Sequence, residues 1–138
     1  MRLIESIRNF ILTYPNLNDG RLNVDYLGFE PTEYSIDGTP VEPIIRKYVD
    51  GGTLRQFNFV FSSVEVYGQD TLNNIANSGF YEDFADWLET SSKAGELPEM
   101  EVGKTPLRIE ALNTGYLFDT TTNTGRYQIQ CRLIYKMD

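Results

Sequence analysis

The fold is decided by the stretch Ile44-Ile45-Arg46-Lys47-Tyr48-Val49, followed by Asp50-Gly51-Gly52 and then Thr53-Leu54-Arg55-Gln56-Phe57-Asn58-Phe59-Val60-Phe61. Two runs of β-forming residues flank an Asp-Gly-Gly turn, and glycine supplies the positive φ that a tight hairpin turn needs. This predicts a long β-hairpin. Side chains alternate across a strand, so Phe57, Phe59 and Phe61 share one face and Leu54 and Val60 the other. The first face reads as aromatic core and the second as only partly apolar. Val64 and Val66 extend the same strand.

Further along the chain, Asp70 reads as a helix N-cap. Leu72, Ile75, Ala76, Phe80, Phe84, Trp87 and Leu88 then recur at helical spacing over about 71–90. Ser78-Gly79 in the middle predicts a kink or a break. Residues 91–106, with Gly95, Pro98, Gly103 and Pro106, read as a long loop. A strand is expected over 107–112, which Gly115-Tyr116-Leu117-Phe118 extends or follows with another. Asp119 to Gly125 reads as a polar turn. Tyr127, Ile129, Cys131, Leu133 and Tyr135 alternate on a final strand, opposite Arg126, Gln128, Gln130 and Arg132.

Before the hairpin, Leu3, Ile7, Phe10 and Ile11 predict a helix over 2–13, ended by Pro15 and Asn16. Asn18-Asp19-Gly20 is a turn signal, and 21–27 alternates as a half-buried strand. A short strand is expected at Glu33–Ile36, with Asp37-Gly38-Thr39-Pro40 breaking it. No repeat or composition break divides the chain. The order of elements predicts one α+β domain over residues 1–138, a single antiparallel or mixed sheet with long hairpins flanked by two or three helices.

Composition narrows the chemistry. The chain of 138 residues has no histidine, which removes the commonest general base and zinc ligand and any Ser-His-Asp or Cys-His mechanism within it. Its one cysteine, Cys131, cannot form an internal disulfide or a cysteine metal cluster, and it alternates with core residues as a small hydrophobe. The formal charge of −8, from 20 acidic and 12 basic residues, opposes tight binding to DNA phosphates or anionic membranes. The opening Met1-Arg2-Leu3-Ile4-Glu5 does not read as a signal peptide, and no membrane span is expected.

Several clusters have a plain reading beside a functional one. Glu82, Asp86 and Glu89 share a helix face opposite Phe80, Phe84 and Trp87; this is the ordinary solvated face of an amphipathic helix rather than a metal or acid-base site. Asp119 to Gly125 lacks the spacing of a calcium or phosphate loop and reads as a hairpin tip, with Asp119, Thr121 and Asn123 available for docking. Arg46 and Lys47 before the turn, with Arg55 after it, suit cross-strand pairing with carboxylates better than a phosphate clamp. Glu96, Glu99 and Glu101 lie in the loop, where they can stay solvated or order against a neighbouring subunit. No catalytic, cofactor or metal residues are expected. The candidate interface is Arg46, Tyr48, Arg55, Glu96, Glu99, Glu101, Asp119, Thr121 and Asn123. A carboxylate-based enzyme or a small-ligand pocket lined by Phe57, Phe59 and Trp87 is the competing class.

Four segments together carry a resemblance: Glu5-Ser6-Ile7-Arg8-Asn9-Phe10 with Asn23-Val24-Asp25-Tyr26-Leu27-Gly28; Tyr48-Val49-Asp50-Gly51-Gly52 through Arg55-Gln56-Phe57; Asn77-Ser78-Gly79-Phe80-Tyr81-Glu82-Asp83-Phe84-Ala85-Asp86-Trp87-Leu88; and Tyr127-Gln128-Ile129-Gln130-Cys131. Over nearly the whole chain this resembles small minor structural proteins of prophages in Gram-positive bacteria, akin to tail terminators and tail-completion proteins of long-tailed phages. The resemblance implies a virion protein made in the host cytoplasm that forms a ring, often hexameric, on the end of the tail tube. Its expected partners are further copies of itself, the tail tube protein and the head-tail connector, with DNA passing without specific binding. A minor capsid or head-closure (head-tail joining) subunit is the related alternative. The resemblance implies no catalytic residues.

Overall fold

The computed structural model describes residues 2–17, 22–28, 33–68, 71–120 and 123–138, and of 71–73 the backbone alone. Among these it has two helices, α1 (Leu3–Ile11) and α2 (Thr71–Ala94). Its seven strands are β1 (Leu22–Val24), β2 (Glu33–Thr39), β3 (Ile44–Lys47), β4 (Thr53–Val66), β5 (Lys104–Ala111), β6 (Tyr116–Thr120) and β7 (Thr124–Met137). They form one mixed sheet, so the protein is of the α+β class.

The sheet is built on the antiparallel pair β4 and β7, in register from Thr53 opposite Met137 to Val66 opposite Thr124. Each of these long strands has an outer edge shared by two shorter ones. β2 takes the later half of β4 and β3 its first residues, while β5 takes the later half of β7 and β6 its beginning. β1 joins β2 in parallel, the one parallel pairing among the described strands. The hairpin read from the sequence is present, but its first arm is the four-residue β3.

Alternation along β4 and β7 decides which face is covered. Phe59 and Phe61 are buried on the face where Tyr127, Ile129, Cys131 and Leu133 also point. Both helices close this face with Ile7, Phe10, Ile11, Tyr81, Phe84 and Leu88. The aromatic core is stacked: the Phe61 and Phe84 rings lie 4.6 Å apart and Phe10 and Trp87 4.8 Å apart. The opposite face is largely polar, carrying Asp37, Asn58, Gln128, Gln130 and Arg132, as antiparallel sheets with one solvated face do. There Glu110 accepts from Arg132 at 2.7 Å and from Arg108 at 3.2 Å. Burial raises the Glu110 carboxyl pKa, but the two guanidiniums outweigh it and hold it below the ordinary value.

Six elements differ in their bounds from the sequence reading. The first helix is shorter than 2–13, and the first strand ends at Val24, where Asp25 turns left-handed at φ 56°. Asp37-Gly38-Thr39 does not break β2. These residues pair with Val60, Phe59 and Asn58, and a Cβ on Gly38 would lie 3.2 Å from the Phe57 ring. Gly38 is therefore a place of close approach within a strand. The long helix runs without a break through Ser78-Gly79 to Ala94, and Gly95 at φ 76° ends it. β5 starts at Lys104 and includes Pro106 on its edge, so the loop expected over 91–106 spans only 95–103. Asp119 and Thr120 are paired in β6 rather than in a turn. The expected turn at Asn18-Asp19-Gly20 and the Asp70 N-cap lie outside the described residues.

The last turn of α2 guards an edge of the sheet. Ser92 Oγ donates to the Ile109 carbonyl at 2.7 Å and accepts from the Ile109 N–H at 3.0 Å. One hydroxyl thereby satisfies both outward backbone groups at that point of β5, where another strand would otherwise add. On the far side, Arg8 Nε donates to the Leu22 carbonyl of β1 at 3.0 Å. Ser92→Ala is expected to cost about 1–2 kcal/mol, because two part-buried backbone groups lose their partner. Urea unfolding with unchanged m-value measures it, and an unchanged midpoint would show that water replaces the hydroxyl freely.

Candidate assembly interface

The β3–β4 turn is locally specified. Tyr48 N–H donates to the Gly52 carbonyl at 2.8 Å and Gly51 N–H to the Tyr48 carbonyl at 3.1 Å. Asp50 Oδ1 accepts from Gly52 N–H at 2.9 Å, and Gly51 has φ 92°. The Tyr48 ring lies under Lys136 Nζ, 5.4 Å from its centroid. Arg55 Nε donates to Thr53 Oγ1 at 2.9 Å. Arg46 and Lys47 are exposed, and neither they nor Arg55 makes an ion pair among the described residues. The expected cross-strand carboxylate pairing is thus not what these cations do; their strand partners are Thr53, Leu54 and residues beyond, none acidic. Ile45 and Val49 add exposed apolar surface, and Val49 at the tip is fully exposed.

In the loop 95–103, Leu97 and Met100 pack inward against the core while Glu96 and Glu99 are exposed. Glu101 pairs with Lys104 at 2.8 Å, and the hydrogen bond from Lys104 draws its carboxyl below the ordinary range. Val102 is fully exposed, and Gly103 at φ 95° accepts on its carbonyl from Asp138 N–H at 2.9 Å.

The sheet register relates these segments. Lys47 pairs with Thr53, Thr53 with Met137, and Met137 with Lys104. The hairpin turn and the start of β5 therefore sit at the same end of the molecule, on opposite sides of a four-strand row roughly 14 Å across. Arg46, Tyr48 and Arg55 belong to one side, and Glu101, with the loop carrying Glu96 and Glu99, to the other. Asp119 and Asn123 are at the opposite end, where Tyr67 N–H donates to the Asn123 carbonyl at 3.0 Å. The length of β4 separates the two ends by roughly 45 Å. The eight described candidate residues hence do not form one patch, and the ninth, Thr121, lies outside the described residues.

Sequence reasoning missed the exposed apolar partners: Ile45, Val49, Val102 and Leu107 near the first end, and Leu112, Tyr116 and Phe118 on and before β6. Large apolar residues inside turn or edge segments, such as Val49 beside Asp50-Gly51 and Val102 beside Gly103, were the available signal.

The three residues read as lining a ligand pocket do not share one: Phe59 is fully buried, Trp87 stacks on Phe10 and lies 4.9 Å from Tyr14, and Phe57 is part-exposed beside an open groove with Arg2, Leu3, Ile4 and Asp25. An open groove of about 500 Å³ runs between α2 and β5, lined by Asp86, Glu89, Ser92, Lys93, Arg108 and Glu110 among others. Glu82, Asp86 and Glu89 are exposed, and Glu89 pairs with Lys93 at 3.0 Å. No three metal-ligating side chains converge among the described residues. No described helix is long and apolar enough to cross a membrane.

One carboxylate is held unfavourably. Burial raises the Glu65 pKa above the ordinary 4.5, and a hydrogen bond from Ser63 offsets only part of this. With the folded pKa above the unfolded one, the stability contribution is whole below pH 4.5 and is lost as pH rises through the folded pKa. Glu65→Gln is accordingly expected to raise the melting temperature at pH 7 and to change it little at pH 4. Equal shifts at both pH values would show that the carboxylate's ionisation is not the cause.

No family model matches the sequence, and no curated protein matches it.

Proposed function

We propose that this protein is a structural subunit of a phage virion, a tail terminator or tail-completion protein that forms a ring on the head-proximal end of the tail tube. The reading rests on the whole-chain resemblance together with one structural observation. β3 and the first residues of β5 are outermost strands on opposite sides of the sheet at the same end, with no further strand paired to either among the described residues. Unlike edges join head to tail, and a head-to-tail contact closes into a ring when its rotation divides a full turn. The exposed carboxylates Glu82, Asp83, Asp86 and Glu89 put acidic surplus on the helical side. A ring that turns this side to its passage repels phosphate, so DNA passes without specific binding. The partners in this reading are further copies of the chain, the tail tube protein and the head-tail connector. The site of action is the virion, assembled in the bacterial cytoplasm.

The test is binding to purified tail tubes from the phage that encodes the chain, viewed by negative-stain electron microscopy. A cap of density on one tube end, with tube length fixed, is the expected result and gives the ring symmetry. Attachment to connector or capsid instead makes the protein a head-closure or minor capsid subunit. Binding to no virion part overturns the phage reading.

A further inference from the structure

The two sides of the sheet at its hairpin end carry opposite charge. Between Ile44 and Arg55 stand Arg46, Lys47 and Arg55 against the single acid Asp50. Across the row, the loop 95–103 holds Glu96, Glu99 and Glu101 and no cation, with Glu101 paired to Lys104 at the start of β5. In a chain of net charge −8 the hairpin is thus a local basic exception. Each side also bears a fully exposed valine, Val49 at the hairpin tip and Val102 before β5, with Ile45 and Leu107 exposed beside them. These are surfaces of like level and opposite character on one molecule.

We infer that the β3 arm and its turn dock on the 95–103 loop and the first residues of β5 of a second copy of this chain, with Arg46 and Lys47 facing Glu96 and Glu99 and Val49 packing near Val102 and Leu107. This rests on the ring reading and names its contact. The occupant is a second copy because both complementary surfaces lie on the same chain at the same level of the sheet. A neighbour placed side by side in the same orientation brings one against the other. The docking point precedes Ile109, where Ser92 closes the strand edge, so the arm meets the part of β5 that α2 leaves open. Exposed like charges within each surface disfavour the symmetric alternative, arm against arm or loop against loop. The contact is salt-sensitive, since its ion pairs form at the surface.

The experiment mixes a Lys47→Cys protein with a Glu99→Cys protein under mild oxidation at high concentration and low salt. Both positions are exposed, and the native Cys131 is fully buried and does not compete. The expected result is a disulfide heterodimer in roughly ten-fold excess over either homodimer. The same mixture in high salt, and a mixture of Lys47→Cys with Asn123→Cys at the far end, should both lose that excess. Homodimers in excess, or a heterodimer no more abundant than in the Asn123→Cys control, overturn the contact. Electron microscopy of wild-type protein with tail tubes separates this from the function. A ring or tube cap without the Lys47–Glu99 cross-link removes the contact and leaves the tail reading, while the cross-link without tube capping supports the contact and removes the tail reading.

Discussion

Phe84→Ala is expected to be the most destabilising single truncation, with a loss of about 3–5 kcal/mol. Phe84 is fully buried in the middle of α2. It stacks on Phe61 of the central strand at 4.6 Å, meets Tyr14 edge-on at 5.3 Å and lies 5.9 Å from Trp87. It therefore joins the long helix, the segment after α1 and the sheet at one point. Close-packed neighbours on three sides cannot all move into the space, so a cavity term adds to the lost transfer energy. Against a typical total of roughly 5–15 kcal/mol this is a large fraction. The sole tryptophan, Trp87, reports the outcome directly through its emission during urea unfolding. A loss under about 1 kcal/mol would mean that α2 does not pack on the sheet through Phe84.

Gly115→Ala is expected to have the second largest effect, through crowding instead of loss. A Cβ at Gly115 would lie 2.3 Å from the Tyr81 Cβ and 2.4 Å from its Cγ. These atoms belong to the root of a buried side chain and cannot swing away, so α2 and the start of β6 must separate. Such forced shifts cost about 1–3 kcal/mol. The Tyr81 hydroxyl shares a hydrogen bond with Ser63 and donates to the Tyr127 carbonyl at 3.3 Å, so displacement also strains a buried polar link across β4 and β7. Burial holds that phenol protonated well above its usual range. Gly79→Ala is the matched control. It sits within α2 with no atom within 4 Å of the added methyl, and alanine is the better helix former by up to about 1 kcal/mol. Thermal melts of the two variants should move in opposite directions; a common direction would contradict the packing of Gly115 on Tyr81.

What was legible in the sequence followed from strong periodicity. The alternation of Phe57, Phe59 and Phe61 and of Tyr127 to Tyr135 placed the two central strands and their buried face, and the spacing of Phe80, Phe84 and Leu88 placed the long helix. The errors lie where a local breaker is overridden by a tertiary contact. Gly38 looks like the end of a strand but is the residue that lets Phe57 approach β2. Ser91-Ser92 looks like a loop but stays helical, with Ser92 bonded to β5. Pro106 is tolerated because its strand lies at an edge. The candidate interface was read as separate charged segments. That Lys47 and Lys104 share one row, while Asn123 stands at the far end, depends on a register running through β7, which no local pattern encodes.

The pairing of β4 with β7 also sets the order of events during synthesis. β4 ends at Val66, but its central partner begins at Thr124, so the pairing must close over residues 67–123. At usual translation rates roughly 4 to 14 s pass between the making of one strand and the completion of the other. During that interval Phe57, Phe59 and Phe61 stand on a strand that has β2 and β3 on one side and nothing on the other. The nascent chain is thus most prone to wrong strand pairing while the long helix is being made. Contacts this distant in sequence place its folding among the slow, millisecond-to-second topologies.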